Sequence, residues 1–291
     1  MAKTIIITDS ASDISVENEK RYASTLRILP FPVILGDHAY LSRIDFDNEK
    51  FYKMLEDYGD IPTTSQLTAF QFEALYGELA EQGYTDAIVL LINSKGSATF
   101  DNAVLARLNF FDEHPELSDR FCVHLIDGAS YTGAYGYAAV EGARMAEDGV
   151  PAADIVRFIR DWTEHCVIYF GMYSLRYASK SGRIPSAAAF VGEALGLKAI
   201  MRIFDHAITT SAKVRGEKNI IPAVLEKTLA EMEPGTPYCI VYGSDAAARD
   251  AMAAATEKAV GYPPADSYQI GAAVACNAGP KLVGVIFRGK N

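Results

Sequence analysis

Short apolar runs alternate with amphipathic stretches along the first half of the chain. Residues 4–8 are mostly β-branched, and residues 87–92 form an unbroken apolar run of strand length. Parallel strands covered on both faces read this way. Residues 123–126 predict a further strand, and residues 26–35 predict one bent by Pro30 and Pro32. Between them, residues 46–58, 68–82 and 99–111 carry apolar side chains at helical spacing. Residues 135–147 are rich in Ala and Gly, as suits a helix lying close against a sheet. The run Asp9-Ser10-Ala11-Ser12-Asp13 offers Ser12 or Asp13 as the cap of a helix with Glu17 in its first turns. Repeated strand–helix units imply a parallel sheet covered on both faces.

The second half has a different rhythm. Residues 151–165 place Ile155, Phe158, Ile159 and Trp162 on one helical stripe, and residues 220–232 predict another amphipathic helix. Strand-like runs fall at residues 167–173, 199–204, 207–211, 238–242, 268–273 and 282–288, with Asp205-His206 as a tight hairpin turn. Residues 184–196 are apolar and Ala-rich. The expectation is an α/β protein of two domains. Residues 1–160 form an α/β/α unit on a parallel sheet, and residues 161–291 an α+β unit on a mixed or antiparallel sheet. No Pro/Ser-rich linker marks the join, so the halves are expected to pack tightly.

Composition narrows the function. A formal charge of −10 and a pI near 5.0 disfavour nucleic acid, whose binding depends on neutralising phosphates, and steady adhesion to an anionic membrane. The opening residues predict neither a secretory signal nor an anchor, and no apolar run approaches membrane-spanning length, so a cytoplasmic location is expected. Cys122, Cys166, Cys239 and Cys276 are scattered without CxxC spacing, and the histidines are equally dispersed. The thiols are expected to be structural, with no metal and no cofactor.

The candidate chemistry lies where the apolar run 87–92 stops in Asn93, Ser94, Gly96, Ser97 and Thr99. Ligands of open α/β sheets sit beyond strand carboxyl ends, and clustered hydroxyls there suit a carboxylate head group. N-capping of the next helix is the competing reading, and it accounts more easily for one hydroxyl than for three. Thr63, Thr64 and Ser65 form a second cluster, open equally to a capping role. Neither GxGxxG nor GxxxxGK[ST] occurs at a strand–helix junction, which disfavours nucleotides. GxSxG is also missing, which weakens a Ser94-based hydrolase or acyl transferase acting on a small lipid without removing it. Lys180, Arg183, Lys213, Arg215 and Lys218 form basic stretches that are either solvated surface or a local patch steering an anion or docking an acidic partner.

In order and spacing these motifs resemble the DegV family, fatty-acid-binding proteins of bacteria, over nearly the whole chain. The resemblance rests on Thr8-Asp9-Ser10-Ala11-Ser12-Asp13, on Thr64-Ser65-Gln66, and on Asn93 to Phe100, which is similar to the family's Ser-Ser-x-Leu-Ser-Gly-Thr-Tyr. It continues through Asp127, Gly133, Gly136, Leu175-Arg176-Tyr177, Gly182-Arg183-Ile184 and Lys213-Val214-Arg215-Gly216. It ends at Asn277-Ala278-Gly279-Pro280, similar to the family's His-Thr-Gly-Pro-Gly.

The resemblance implies a fatty acid between two domains and no catalytic residues of the chain's own. Its carboxylate would be held by Thr64 and Ser94, with Ser65, Ser97, Thr99, Asn277 and Arg183 as further candidates around it. It also implies presentation of the lipid to a fatty acid kinase, with Arg183 near the pocket mouth and Arg215 in docking. Asn277 replaces the family's histidine, so a titratable donor becomes a neutral amide. Lys281, Gly96 and Ala98 also depart from the pattern. Residues 187–197, with Phe170, Met172, Ile200 and Phe204, are candidates to line the acyl tunnel or simply to fill the core.

Overall fold

In a computed structural model, which describes residues 3–174, 176–182 and 196–290, two large sheets face each other across one shared core. Strands β1 (Thr4–Asp9), β2 (Leu26–Leu29), β6 (Asp86–Leu91) and β7 (Cys122–Asp127) form a parallel sheet in the order β2-β1-β6-β7. Ile5, Ile6, Ile7 and the run Ala87 to Leu91 are buried on both faces, as their unbroken apolar pattern requires.

The second sheet comprises β8 (Cys166–Met172), β9 (Leu197–Phe204), β10 (Ala207–Arg215), β11 (Tyr238–Tyr242), β12 (Asp266–Gln269) and β13 (Leu282–Arg288). Its order is β10-β9-β8-β13-β11-β12, antiparallel except for the β11–β12 pair. Strand β8 shows how the sheet is shared. Cys166, Ile168, Phe170 and Met172 join the core of the parallel half, whereas Val167 and Tyr169 pack with residues of helices Ile220–Glu231 and Ala246–Val260. A period of two thus divides one strand between two cores. Helix Gly133–Glu147 touches strands of both sheets, and Trp162 of helix Ala152–His165 donates its Nε1–H to the Ala134 carbonyl at 2.7 Å.

Several expectations are corrected. Residues 26–35 are two strands: β2 ends at Leu29, and β3 (Pro32–Leu35) enters a separate three-stranded sheet with β4 (His38–Leu41) and β5 (Thr63–Thr64). Pro30 and Pro32 bring no N–H to a ladder, and the Phe31 N–H between them is taken by Ser10 Oγ at 2.9 Å. Residues 268–273 are not one strand. Pairing stops at Gln269 and the small-residue stretch Ala272–Ala278 becomes a helix. Neither Ser12 nor Asp13 caps helix Val16–Arg21; Ser15 does, accepting from the Asn18 N–H at 3.1 Å. Helix Ala246–Val260, whose alanines give no apolar stripe, was not foreseen; it starts at Asp245, which accepts from the Ala248 N–H. Cys166, Cys239 and Cys276 are buried, but Cys122 is exposed on the edge strand β7. None of the described helices is long and apolar enough to cross a membrane.

The helix between the sheets tolerates little growth. A methyl group at Gly136 would overlap the backbone carbonyl oxygen of Ser12 and crowd the ring of Tyr268. Gly136→Ala is expected to destabilise the fold by about 1–3 kcal/mol through overpacking, read as a lower midpoint in urea unfolding at unchanged slope.

Candidate ligand site

The loop that follows β6 is pinned before it offers any side chain to a ligand. The Ile92 N–H donates to Asp9 Oδ2 at 2.8 Å, and the Ser94 N–H donates to Asp127 Oδ1 at 3.1 Å. Fully buried Asn93 donates its backbone N–H to the Ser130 carbonyl. Its side-chain Nδ2 donates to Tyr131 Oη and the His206 carbonyl, at 3.2 and 3.0 Å. Asn93 Oδ1 accepts from the Lys95 N–H at 2.9 Å and lies 2.8 Å from His206 Nδ1. His206 sits in the β9–β10 turn, where Asp205 and His206 both adopt positive φ (43° and 66°), and its own N–H donates to the Ala129 carbonyl. The turn carried by the mixed sheet thereby grips the loops of the parallel one. Gly96 closes the bend beneath the Tyr131 hydroxyl, where a Cβ would overlap that oxygen.

With its backbone held, the loop walls one end of a cavity of about 390 Å³ between the two sheets. Thr64, Ser65, Ser94, Ser97 and Asn277 line it, as do Gln66, Lys95, Asp101, Tyr131 and Thr132. The remaining wall is apolar: Phe31, Ile92, Ile168, Phe170, Ile203, Ile208, Val241 and Leu282, with Ala273, Val274 and Ala278 from helix Ala272–Ala278. Volume and lining fall within the range of sites for small apolar ligands, roughly 300–1,000 Å³.

The hydroxyls have unequal duties. Thr99 is fully buried off the cavity wall, where Oγ1 accepts from the Leu67 N–H at 3.3 Å and so ties the Thr64–Gln66 loop to helix Thr99–Glu113. Ser97 Oγ shares a 2.9 Å hydrogen bond with Thr99 Oγ1 and accepts from the Thr99 N–H. Asn277 donates Nδ2 to the Ala273 carbonyl one turn back at 2.9 Å. Arg215 is exposed at the far end of β10 and does not line the cavity, while Arg183 and residues 187–195 lie outside the described residues. Of the other tunnel candidates, Phe170 lines the cavity, whereas Met172, Ile200 and Phe204 do not. Lys95 and Asp101 add charge to a wall that the hydroxyl pattern alone presents as neutral.

Two buried carboxylates hold the frame. Asp9 accepts from the Ala11 and Ile92 N–H groups and from Tyr135 Oη at 2.6 Å, joining β1, the hydroxyl loop and the helix between the sheets. Burial pushes its pKa up to about 6, and the bonds from Tyr135, Ile92 and Ala11 oppose that rise. Asp13 Oδ1 accepts from the Gly271 N–H at 2.8 Å, anchoring the start of helix Ala272–Ala278. Burial raises Asp13 further, to about 7. Among the described residues, metal-ligating atoms gather only at Asp86, Cys122 and His124, and none of these lines the cavity.

A family model described as an uncharacterised protein family, DegV, matches residues 3–290. The chain belongs to the DegV family. A DegV domain-containing protein of Caldanaerobacter subterraneus subsp. tengcongensis is 26% identical, with both chains covered completely. The protein DegV of Bacillus subtilis is 25% identical over 97% of this chain and 98% of its own. Among solved structures, a fatty-acid-binding protein of Thermotoga maritima superposes with a TM-score of 0.82 at 23% identity, covering 99% of this chain and all of that one. A stearic-acid-binding protein of Eubacterium ventriosum gives a TM-score of 0.83 at 22% identity, covering 99% and 98%. This DegV-family chain therefore shares their fold, a parallel sheet facing a mixed one.

The raised carboxylates set a pH dependence. Unfolded, both groups titrate near 3.8; folded, they titrate near 6 and 7. Between about pH 4 and 7 the folded state retains protons that the unfolded state has lost, so their contribution to stability falls as pH rises. Asp13→Asn removes one such group. The unfolding free energy of wild type minus that of the variant, from urea titrations, is expected to decline from pH 4 to pH 7 and then level off.

Proposed function

We propose that this DegV-family chain binds a long-chain fatty acid in the cytoplasm and presents it to a fatty acid kinase. The observation that carries the reading is a cavity with hydroxyls and Lys95 gathered at the pinned loop and mostly apolar side chains on the rest of its wall. Each buried methylene contributes about 0.8 kcal/mol, so a long acyl chain supplies roughly 10 kcal/mol before ordering costs. The head group then needs orientation more than affinity. Ser94 and Thr64, which line the cavity, would supply that orientation, with Ser65, Ser97 and Asn277 around them; Lys95 would add attraction for an anion, opposed by Asp101 on the same wall. Relatives of the same fold bind such lipids, including stearic acid in Eubacterium ventriosum and heptadecanoic acid in Eubacterium eligens. Hand-over to a kinase rests on the family resemblance, with Arg183 and Arg215 as the proposed docking cations.

A hydrolase centred on Ser94 has less support. It needs a base beside the hydroxyl, and no histidine lines the cavity among the described residues, which include every histidine of the chain.

Gently purified protein is expected to release long-chain fatty acids on solvent extraction, identified by mass spectrometry. Protein that carries none and takes up none would refute the reading. Ser94→Ala is expected to weaken fatty acid affinity by about 1 kcal/mol per lost hydrogen bond, close to fivefold; an unchanged affinity would reduce Ser94 to a loop residue. Incubation of loaded protein with a bacterial fatty acid kinase and ATP is expected to yield acyl phosphate, and failure there removes the hand-over while leaving the binding intact.

A further inference from the structure

The parallel sheet carries a second cluster of chemistry at the opposite end of its strands from the cavity. Cys122 and His124 are two residues apart on edge strand β7, so they share a face. The neighbouring strand β6 places Asp86 in register beside Cys122. The Cys122 thiol sulfur lies 3.9 Å from His124 Nδ1, and His124 Nε2 lies 2.8 Å from Asp86 Oδ1. Asp86 is itself oriented, its Oδ2 accepting from Thr85 Oγ1 at 2.9 Å. An ionised carboxylate only accepts, so the neutral imidazole carries its proton on Nε2 and turns the Nδ1 lone pair to the sulfur.

We propose that Cys122 and His124 form a binding site for a thiophilic divalent metal ion such as zinc. Asp86 orients the imidazole, and water completes the coordination. Zinc binds sulfur at about 2.3 Å and imidazole nitrogen at about 2.0–2.1 Å, which at a tetrahedral angle sets sulfur and nitrogen roughly 3.6 Å apart. The observed 3.9 Å closes to that value with a small side-chain rotation. A histidine held by a carboxylate on its far nitrogen is the usual support of a zinc ligand. Cys122 is exposed and the other two are half-buried, which leaves a path for the ion and for water.

A Cys–His–Asp nucleophile has the same residues but fits less well. None of the three lines the cavity, and partial burial and the Asp86 charge push the Cys122 thiol up, with Arg107 opposing. A protonated thiol is a weak nucleophile, whereas a metal ion takes the thiolate directly and reverses that penalty. Arg107, whose guanidinium donates to the Val123 carbonyl at 3.3 Å, keeps the site from being strongly anionic. The selectivity therefore comes from sulfur and nitrogen rather than from charge. Strand pairing assembles the trio across 36 positions of sequence, from Asp86 to Cys122, so no spacing motif announces it.

The test titrates zinc into chelator-treated full-length protein by calorimetry, with cadmium in parallel to read a thiolate-to-metal charge-transfer band. Wild type is expected to bind one zinc per chain and to show the band. Cys122→Ser and His124→Ala are expected to bind at least tenfold more weakly, and Asp86→Asn about 10–100-fold more weakly. All three variants are expected to keep the wild-type melting temperature in the absence of metal and to retain fatty acid uptake. Equal zinc affinity in wild type and Cys122→Ser, or a missing cadmium band, overturns the proposal. A Cys122 that reacts with iodoacetamide faster than glutathione, and that zinc does not protect, overturns it in favour of a nucleophile.

Discussion

The buried carboxylate of Asp9 is the interaction on which the arrangement of this molecule depends. It is completely enclosed, yet it accepts from Ala11 just beyond its own strand, from the first residue beyond β6, and from a tyrosine of the helix between the sheets. An unpaired carboxylate there would cost far more than its packing returns. Three donors make the position tolerable, and in doing so they fix where the hydroxyl loop begins. Asp13 does the same for the helix on the other side of the cavity. The walls are thus located by buried acids.

Under the proposed function, a pinned loop would let the hydroxyls beside Lys95 and Asp101 orient a head group. The backbone N–H of Ser94 and both ends of the Asn93 amide are already committed. The Ser94 hydroxyl is therefore presented by a rigid frame, and little ordering remains to be done when a ligand arrives. Opposite it, alternate residues of β8 face the cavity side, and the intervening ones seal a different core behind the sheet. The mixed sheet cannot shift in register without turning polar and apolar requirements inside out.

Much of this was legible in the chain. The continuous run ending at Ile92 announced both a doubly buried parallel strand and the end of the sheet where the cavity lies, because strand ends and cavities coincide in such sheets. Alternation and the Asp205-His206 turn announced the mixed sheet. What escaped is instructive. Two prolines read as a bend in one strand, whereas they let the chain change sheets, with Ser10 satisfying the amide between them. The stretch after Gln269 reads as strand from its local apolarity, but Gly271 is captured by Asp13 from far away in sequence and a helix follows. Thr99 looked equivalent to Ser94, and only the fold shows that its hydroxyl is consumed by the Leu67 amide. Lys95 stood in full view within the loop and was passed over in favour of its hydroxyl neighbours. Cys122, His124 and Asp86 show no motif because their proximity exists only after β6 and β7 pair.

The grip of the β9–β10 turn on the loops of the parallel sheet has a further consequence. His206 and Asn93 hold each other through side chain and backbone alike, and Asn93 has no access to water. Parting the sheets at that point means surrendering these bonds as a set before solvent can replace any of them. Breathing at this end of the chamber is therefore cooperative, a door on one catch. Whatever enters or leaves by a different rim does so without touching that catch.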